Sequence, residues 1–137
     1  KRQPCQFALL VIDLDKFKPV NDTYGHEVGD LLLQEVSIRI TECMRKVDFV
    51  CRIGGDEFLV IETQFRNSSS IKLRAERIVA ALSEPFIIQG HSIDIGSSIG
   101  LAQYPKDGKQ LEELMHAADE AMYSVKHDGR NGVAVYQ

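Results

Sequence analysis

The hydrophobic pattern divides the chain into strands and helices before any side-chain chemistry is considered. The run Phe7-Ala8-Leu9-Leu10-Val11-Ile12 is apolar on both faces, the pattern of a strand buried in the middle of a sheet, and it ends in Asp13-Leu14-Asp15. A short helical piece follows and stops near Gly25. From about His26 to Arg45 apolar residues recur at Val28, Leu32, Val36, Ile40 and Cys43, a helical stripe. Residues 49–53 and 58–61 read as two short strands around Gly54-Gly55-Asp56-Glu57, a hairpin.

Ser68-Ser69-Ser70 reads as a helix start, and Ile71, Ala75, Ile78, Val79 and Leu82 mark its buried face until Pro85 stops it. Phe86-Ile87-Ile88, Gln89-Gly90 and the alternating stretch after His91 predict a second hairpin running to about Tyr104. Asp107 followed by Gln110 has the spacing of a capping box for a last helix, whose stripe is Leu111, Leu114, Met115, Ala118, Met122 and Val125. Gly129 ends that helix, and residues 133–136 add an edge strand. The order β-α-α-β-β-α-(ββ)-α-β predicts an α/β (α+β) domain, a single mixed sheet with helices packed on it. No repeat, low-complexity segment or internal linker interrupts the chain.

Composition narrows the function classes. A chain of 137 residues fits one domain and buries a core without disulfides. Its net charge of −4 argues against a general nucleic-acid binder, so an acidic domain that handles nucleotides must recruit its own cations. Cys5, Cys43 and Cys51 are widely spaced, lack metal-ligand spacing, and read as reduced thiols of a cytoplasmic protein. The longest apolar stretch is far too short to span a membrane, and no direct membrane contact is expected of this domain. The chain begins at Lys1 without a methionine, and residues 1–137 read as one domain cut from a longer protein.

The carboxylates carry the chemistry. Asp13 ends a buried strand, and Asp56-Glu57 sit at the tip of a glycine hairpin. If those strands are neighbours, three carboxylates meet at one end of the sheet. They repel one another unless a cation sits between them, and hard oxygen ligands suit Mg²⁺. Taken singly, Asp13 or Asp15 reads as a helix cap and Asp56-Glu57 as a solvated turn. Gly54-Gly55 shifts the balance, because two bare residues let the backbone approach a ligand closely.

Gly54-Gly55-Asp56-Glu57-Phe58, preceded by Arg52, resembles the signature of GGDEF diguanylate cyclase domains. Asp13-Leu14-Asp15-Lys16-Phe17-Lys18-Pro19-Val20-Asn21-Asp22, then Gly25-His26 and Gly29-Asp30, is similar to that family's first motif. Ser98-Ile99-Gly100, Ala118-Asp119-Glu120-Ala121-Met122-Tyr123, Lys126, Gly129, Arg130 and Asn131 resemble its later blocks. The resemblance covers nearly the whole chain in the same order, and to GGDEF domains joined to EAL phosphodiesterase domains it extends through residues 85–105.

The resemblance implies a fold like nucleotide-cyclase and polymerase palm domains, with a central, mostly antiparallel sheet flanked by helices. It implies condensation of two GTP into cyclic di-GMP. Asp13, the main-chain carbonyl of Leu14 and Asp56 would hold Mg²⁺, with Mn²⁺ as an alternative ion. Asp56 and Glu57 would take the proton and complete the metal shell, the two roles being interchangeable at this point. Lys18 would steady the transferred phosphate, and Lys126 and Arg130 would bind phosphates from one face if the last helix runs that far. Asn21 and Asp30 would read guanine, since an ionised Asp accepts from N1–H and N2–H. His26 would line the base or ribose pocket, or pack at its helix start.

Arg45 and Asp48 form an RxxD just before the signature hairpin, a placement that in this family resembles a site for inhibitory product. Arg grips guanine O6/N7 or phosphate, and Asp accepts from the base edge; a helix-ending ion pair is the alternative reading. Arg74 or Arg77 would supply a further contact. Two GTP and one apparent pocket imply a transient homodimer, with sensor or EAL domains elsewhere in the full-length chain. The rival is a GGDEF module that senses GTP or cyclic di-GMP for a neighbour without turning it over.

Overall fold

A computed structural model describes residues 6–63, 65 and 67–137, so Cys5 lies outside the described residues. The elements run β1 (Phe7–Asp15), α1 (Phe17–Tyr24), α2 (His26–Cys43), β2 (Phe49–Arg52), β3 (Glu57–Thr63) and α3 (Ser68–Ser83). There follow β4 (Phe86–Ile88), β5 (His91–Ile93), β6 (Gly96–Tyr104), α4 (Leu111–His127) and β7 (Gly132–Val135). A five-stranded sheet has the order β2-β3-β1-β6-β7, antiparallel except for the β6–β7 pair.

β1 is central, and its apolar run is covered on both sides. Leu10 and Ile12 point into a core shared with α1, α2 and α3, while Leu9 and Val11 meet Leu114, Ala118 and Met122 of α4. Alternation of side chains along a strand sends these neighbours to opposite faces. Gly100 sets how near α4 comes: a Cβ there would stand 2.8 Å from that of Met122 and strike the Ala118 carbonyl. α4 therefore lies close on β6, and its C-terminal end reaches over the end of β1.

Three expectations are corrected. β4 and β5 form a separate two-stranded sheet, and β6 leaves that hairpin to pair with β1, so the fold has two sheets rather than one. β6 does not alternate. It is buried along nearly its whole length because it is covered on both faces. The capping box of α4 is Gln110 with Glu113, whereas Asp107 accepts a hydrogen bond from the Gln103 amide at 2.8 Å. α3 starts at Ser68, as the serine run predicts, with Asn67 as its cap in a reciprocal box with Ser70. Cys43 is half-buried and Cys51 exposed, both as free thiols. Among the described residues no helix is long and apolar enough to cross a membrane.

Candidate active site

The antiparallel register of β1 and β3 sets Asp13 opposite Glu57, and the Leu14 amide donates to the Asp56 carbonyl at 3.0 Å. The hairpin thus folds its acidic tip against the end of β1. Asp13, Asp56 and Glu57 converge as the sequence predicts. Burial, and next the charge of Asp13, pushes the Asp56 carboxyl above its ordinary range. Glu57 is raised by burial first and then by Asp13, Asp119 and Asp56. Asp13 Oδ1 is buried and has no hydrogen-bond partner. A buried acceptor left unpaired is costly, and a carboxyl proton shared with Asp56 or a bound ligand would each relieve it.

Lys126 answers part of that charge. Its ammonium lies 2.8 Å from Asp13 Oδ2 and 3.4 Å from Asp15 Oδ1. Burial works to lower its pKa, but hydrogen bonding and attraction from Asp13 and Asp15 outweigh it and raise the pKa. α4 ends at His127, and Arg130 takes a left-handed φ of 69°, so the pair does not share a helical face. Asp15 gathers them instead. Its buried carboxylate accepts from Ser98 Oγ at 3.0 Å and the Asn131 amide at 3.0 Å, and Arg130 approaches to 3.9 Å. Lys18, on α1, is exposed near the start of the same corner.

Asn21 and Asp30 lie on the two helices of one αα corner. Asn21 is half-buried on α1, and Asp30 is exposed on α2 and lines a cleft of about 380 Å³ with Leu33, Gln34, Ser37, Arg52 and Phe58. His26 is exposed as the first residue of α2. Arg52 lashes the hairpin: its Nε donates to the carbonyls of Gly54 at 3.0 Å and Gly55 at 3.1 Å. Gly55 has open space where a side chain would stand.

Arg45 and Asp48 meet as an ion pair at 3.3 Å, with the Asp48 side chain fully buried. Asp48 also accepts from the main-chain amides of Arg45 at 2.9 Å and Thr63 at 3.1 Å, and Arg45 donates to the Thr63 carbonyl. Arg74 donates to Glu62 at 3.1 Å and to the Cys43 carbonyl at 3.0 Å, while Arg45 stands 3.8 Å from Glu62. Asp48 is therefore turned inward, away from any base edge. Glu62 escaped the sequence reading because that reading ended the strand at Ile61. Its signal was parity: Phe58, Val60 and Glu62 point the same way from β3 and are all buried.

Comparison with known proteins bears on family and fold. The family described as "Diguanylate cyclase, GGDEF domain" matches residues 1–132. The bifunctional diguanylate cyclase/cyclic di-GMP phosphodiesterase MucR of Pseudomonas aeruginosa is 46% identical over 99% of this chain. The chain spans only 20% of MucR's own length. The crystal structure of the GGDEF domain of YfiN (TpbB) from the same species matches with a TM-score of 0.93 and 34% identity, covering 97% of this chain and 83% of that one. The GGDEF domain of DgcB from Caulobacter crescentus, solved in complex with cyclic di-GMP, matches with a TM-score of 0.86 and 30% identity, covering 96% and 78%. The palm-like cyclase fold expected from the sequence is the fold observed.

Proposed function

We propose, for a chain that belongs to the GGDEF diguanylate cyclase family, that it is an active cyclase condensing two GTP into cyclic di-GMP and two pyrophosphates. The observation that carries this reading is the Asp13–Glu57 pairing across β1 and β3, with Asp56 beside it and one Asp13 oxygen buried and unpaired. Among the described residues, no three acidic, histidine or cysteine side chains form a metal cage. Mg²⁺ takes one or two carboxylates and completes its shell with water and substrate phosphates. Asp13, the Leu14 carbonyl and Asp56 would hold it, with Mn²⁺ as a substitute. When bound, it would neutralise phosphate charge and acidify the attacking hydroxyl.

The chain's own residues supply the rest. The 3′-hydroxyl of one GTP attacks the α-phosphate of the other, the bond to pyrophosphate breaks, and the hydroxyl proton goes to Asp56 or Glu57. Without the metal, burial and Asp13 raise both carboxyls. Lys18, Lys126 and Arg130 draw the phosphates. Asn21 and Asp30 read guanine beside His26, and rejection of adenine follows because it lacks the paired N1–H and N2–H donors.

One site holds one GTP, so two domains face each other across a two-fold axis and turn a chance encounter into an intramolecular step. At the RxxD corner, product would be gripped through Arg45, with Asp48 acting as its anchor. Incubation with GTP and Mg²⁺, with the nucleotides separated by chromatography, tests the main reading. Cyclic di-GMP and pyrophosphate should accumulate, with specific activity rising with protein concentration. GTP left intact would establish the rival sensing module instead.

A further inference from the structure

Gly29 is the fourth residue of α2, where the helix's first turn closes onto the Gly25 carbonyl. Glycine in a helix interior costs about 1 kcal/mol relative to alanine, so the position calls for a reason. The reason lies on α1. A Cβ built on Gly29 would stand 2.9 Å from Asn21 Cγ and closer still to Asn21 Oδ1, with Phe17 in ordinary contact at 3.5 Å. The Asn21 carbonyl oxygen is pressed onto the bare Cα, buried and without a hydrogen-bond partner. The backbone of the corner is tied in the same four-residue steps, Gly25 N–H to the Asn21 carbonyl at 2.8 Å and Gly29 N–H to the Gly25 carbonyl at 3.1 Å.

Asn21 is therefore seated against the residue that immediately precedes Asp30. Seated there, Asn21 would offer its amide nitrogen to a ligand as a donor, with the carboxylate of Asp30, the residue after its seat, as an acceptor. A donor beside an acceptor matches a purine that offers both, as guanine does with O6 or N3 beside N1–H and N2–H.

We propose that Gly29 is a specificity-determining residue: by lacking a side chain it gives the Asn21 amide its seat beside Asp30, and so sets the preference for guanine. This rests on the reading of Asn21 and Asp30 as the guanine contacts. Gly29 touches no base itself and acts through Asn21.

The test is a double-mutant cycle on Asn21 and Gly29, reading equilibrium binding of non-hydrolysable GTP and ATP analogues. Asn21→Ala should weaken the GTP analogue by roughly tenfold, the loss of one hydrogen bond to a buried base edge, and leave the ATP analogue unchanged. Gly29→Ala should reproduce that loss, because its methyl displaces the amide. The double variant should bind no worse than Asn21→Ala alone, and should melt higher than it because alanine is the better helix former. Undiminished GTP-analogue binding by Gly29→Ala, or losses that multiply in the double variant, would overturn the proposal. A double variant that fails to fold would also overturn it, since the glycine would then serve something other than Asn21. If Asn21→Ala itself leaves GTP preference intact, the guanine reading fails first and this inference falls with it.

Discussion

Two clusters of charge in this domain are built from the same residue types and treated in opposite ways. At the end of β1, Asp13, Asp56 and Glu57 crowd together with Lys126 as the near cation, and Asp13 keeps a buried oxygen without a partner. At the RxxD corner, Asp48 is buried but spends its oxygens on Arg45 and on two main-chain amides. Glu62 beside it is gripped by Arg74, although its Oε1 stays unpartnered, and burial raises its carboxyl despite the nearby arginine. The first cluster holds charge in reserve for something to be bound. The second uses most of its charge to fasten the Arg45–Asp48 turn to the end of β3. An ion pair seen at a motif therefore does not by itself mark a ligand site; what distinguishes the two aspartates is that both Asp48 oxygens are engaged while Asp13 Oδ1 is not.

The comparison breaks most sharply under substitution of one aspartate at each place. Asp56→Ala should lower turnover by at least about a thousandfold, a loss on the order of 4 kcal/mol of transition-state stabilisation, while the domain stays folded. Chromatographic assay of cyclic di-GMP and a thermal melt check the two halves of that statement. Near-native turnover in this variant would mean that the open cluster is not the reacting site.

Asp48→Ala should do the reverse. Removing one member of a buried, hydrogen-bonded pair takes a carboxylate from Arg45 and leaves two main-chain amides unsatisfied, and costs about 3 kcal/mol of stability. Urea unfolding of Asp48→Ala and Asp56→Ala side by side measures the contrast. Equal stabilities would show that the RxxD corner is not part of the fold's fastening. The comparison would then collapse.

Much of this was legible in the chain because the informative positions lie on strongly patterned elements. A strand apolar on both faces reads as central, and the Asp13–Glu57 encounter needed only that the acid-tipped hairpin pair with it, which the β1–β3 register supplies. What stayed hidden depended on competition between near-equivalent groups. Asp107 had capping spacing, yet the Gln103 amide claimed it, and Gln110 took the cap. Lys126 and Arg130 had helical spacing, yet the helix ends at His127. Asp15, which the sequence offered as a motif member or a helix cap, holds the two cations instead. The β4–β5 hairpin left the main sheet because β6 pairs along nine residues with β1, a partner that short strands cannot match.

The smallest expected effect is the most direct probe of the open cluster, because it reads the unpaired charge without any reaction. Asp56 and Glu57 have carboxyls raised in the folded domain, by burial first and by Asp13 next. A carboxyl whose folded pKa lies above its unfolded one binds its proton more tightly when folded. Its contribution to stability is thus complete below the ordinary carboxylate range and is lost as pH rises through the raised value. At neutral pH the ionised cluster is a cost, which Asp56→Asn removes while keeping shape. Because these side chains are half-exposed and screened by water, the gain should be modest, on the order of 0.5 kcal/mol in metal-free protein at pH 7. It should shrink as the pH falls through the ordinary carboxylate range, where Asp56 takes up its proton and both proteins come to carry a neutral group. Saturating Mg²⁺ should reverse the order, since an ion bound only by the folded, unmodified site adds stability by mass action. Urea unfolding of both proteins across that pH range, with and without Mg²⁺, decides the matter. A difference that stays constant from pH 4 to pH 7 would mean that Asp56 stands in no field of its neighbours, and that the two charged regions are less unlike than their geometry implies.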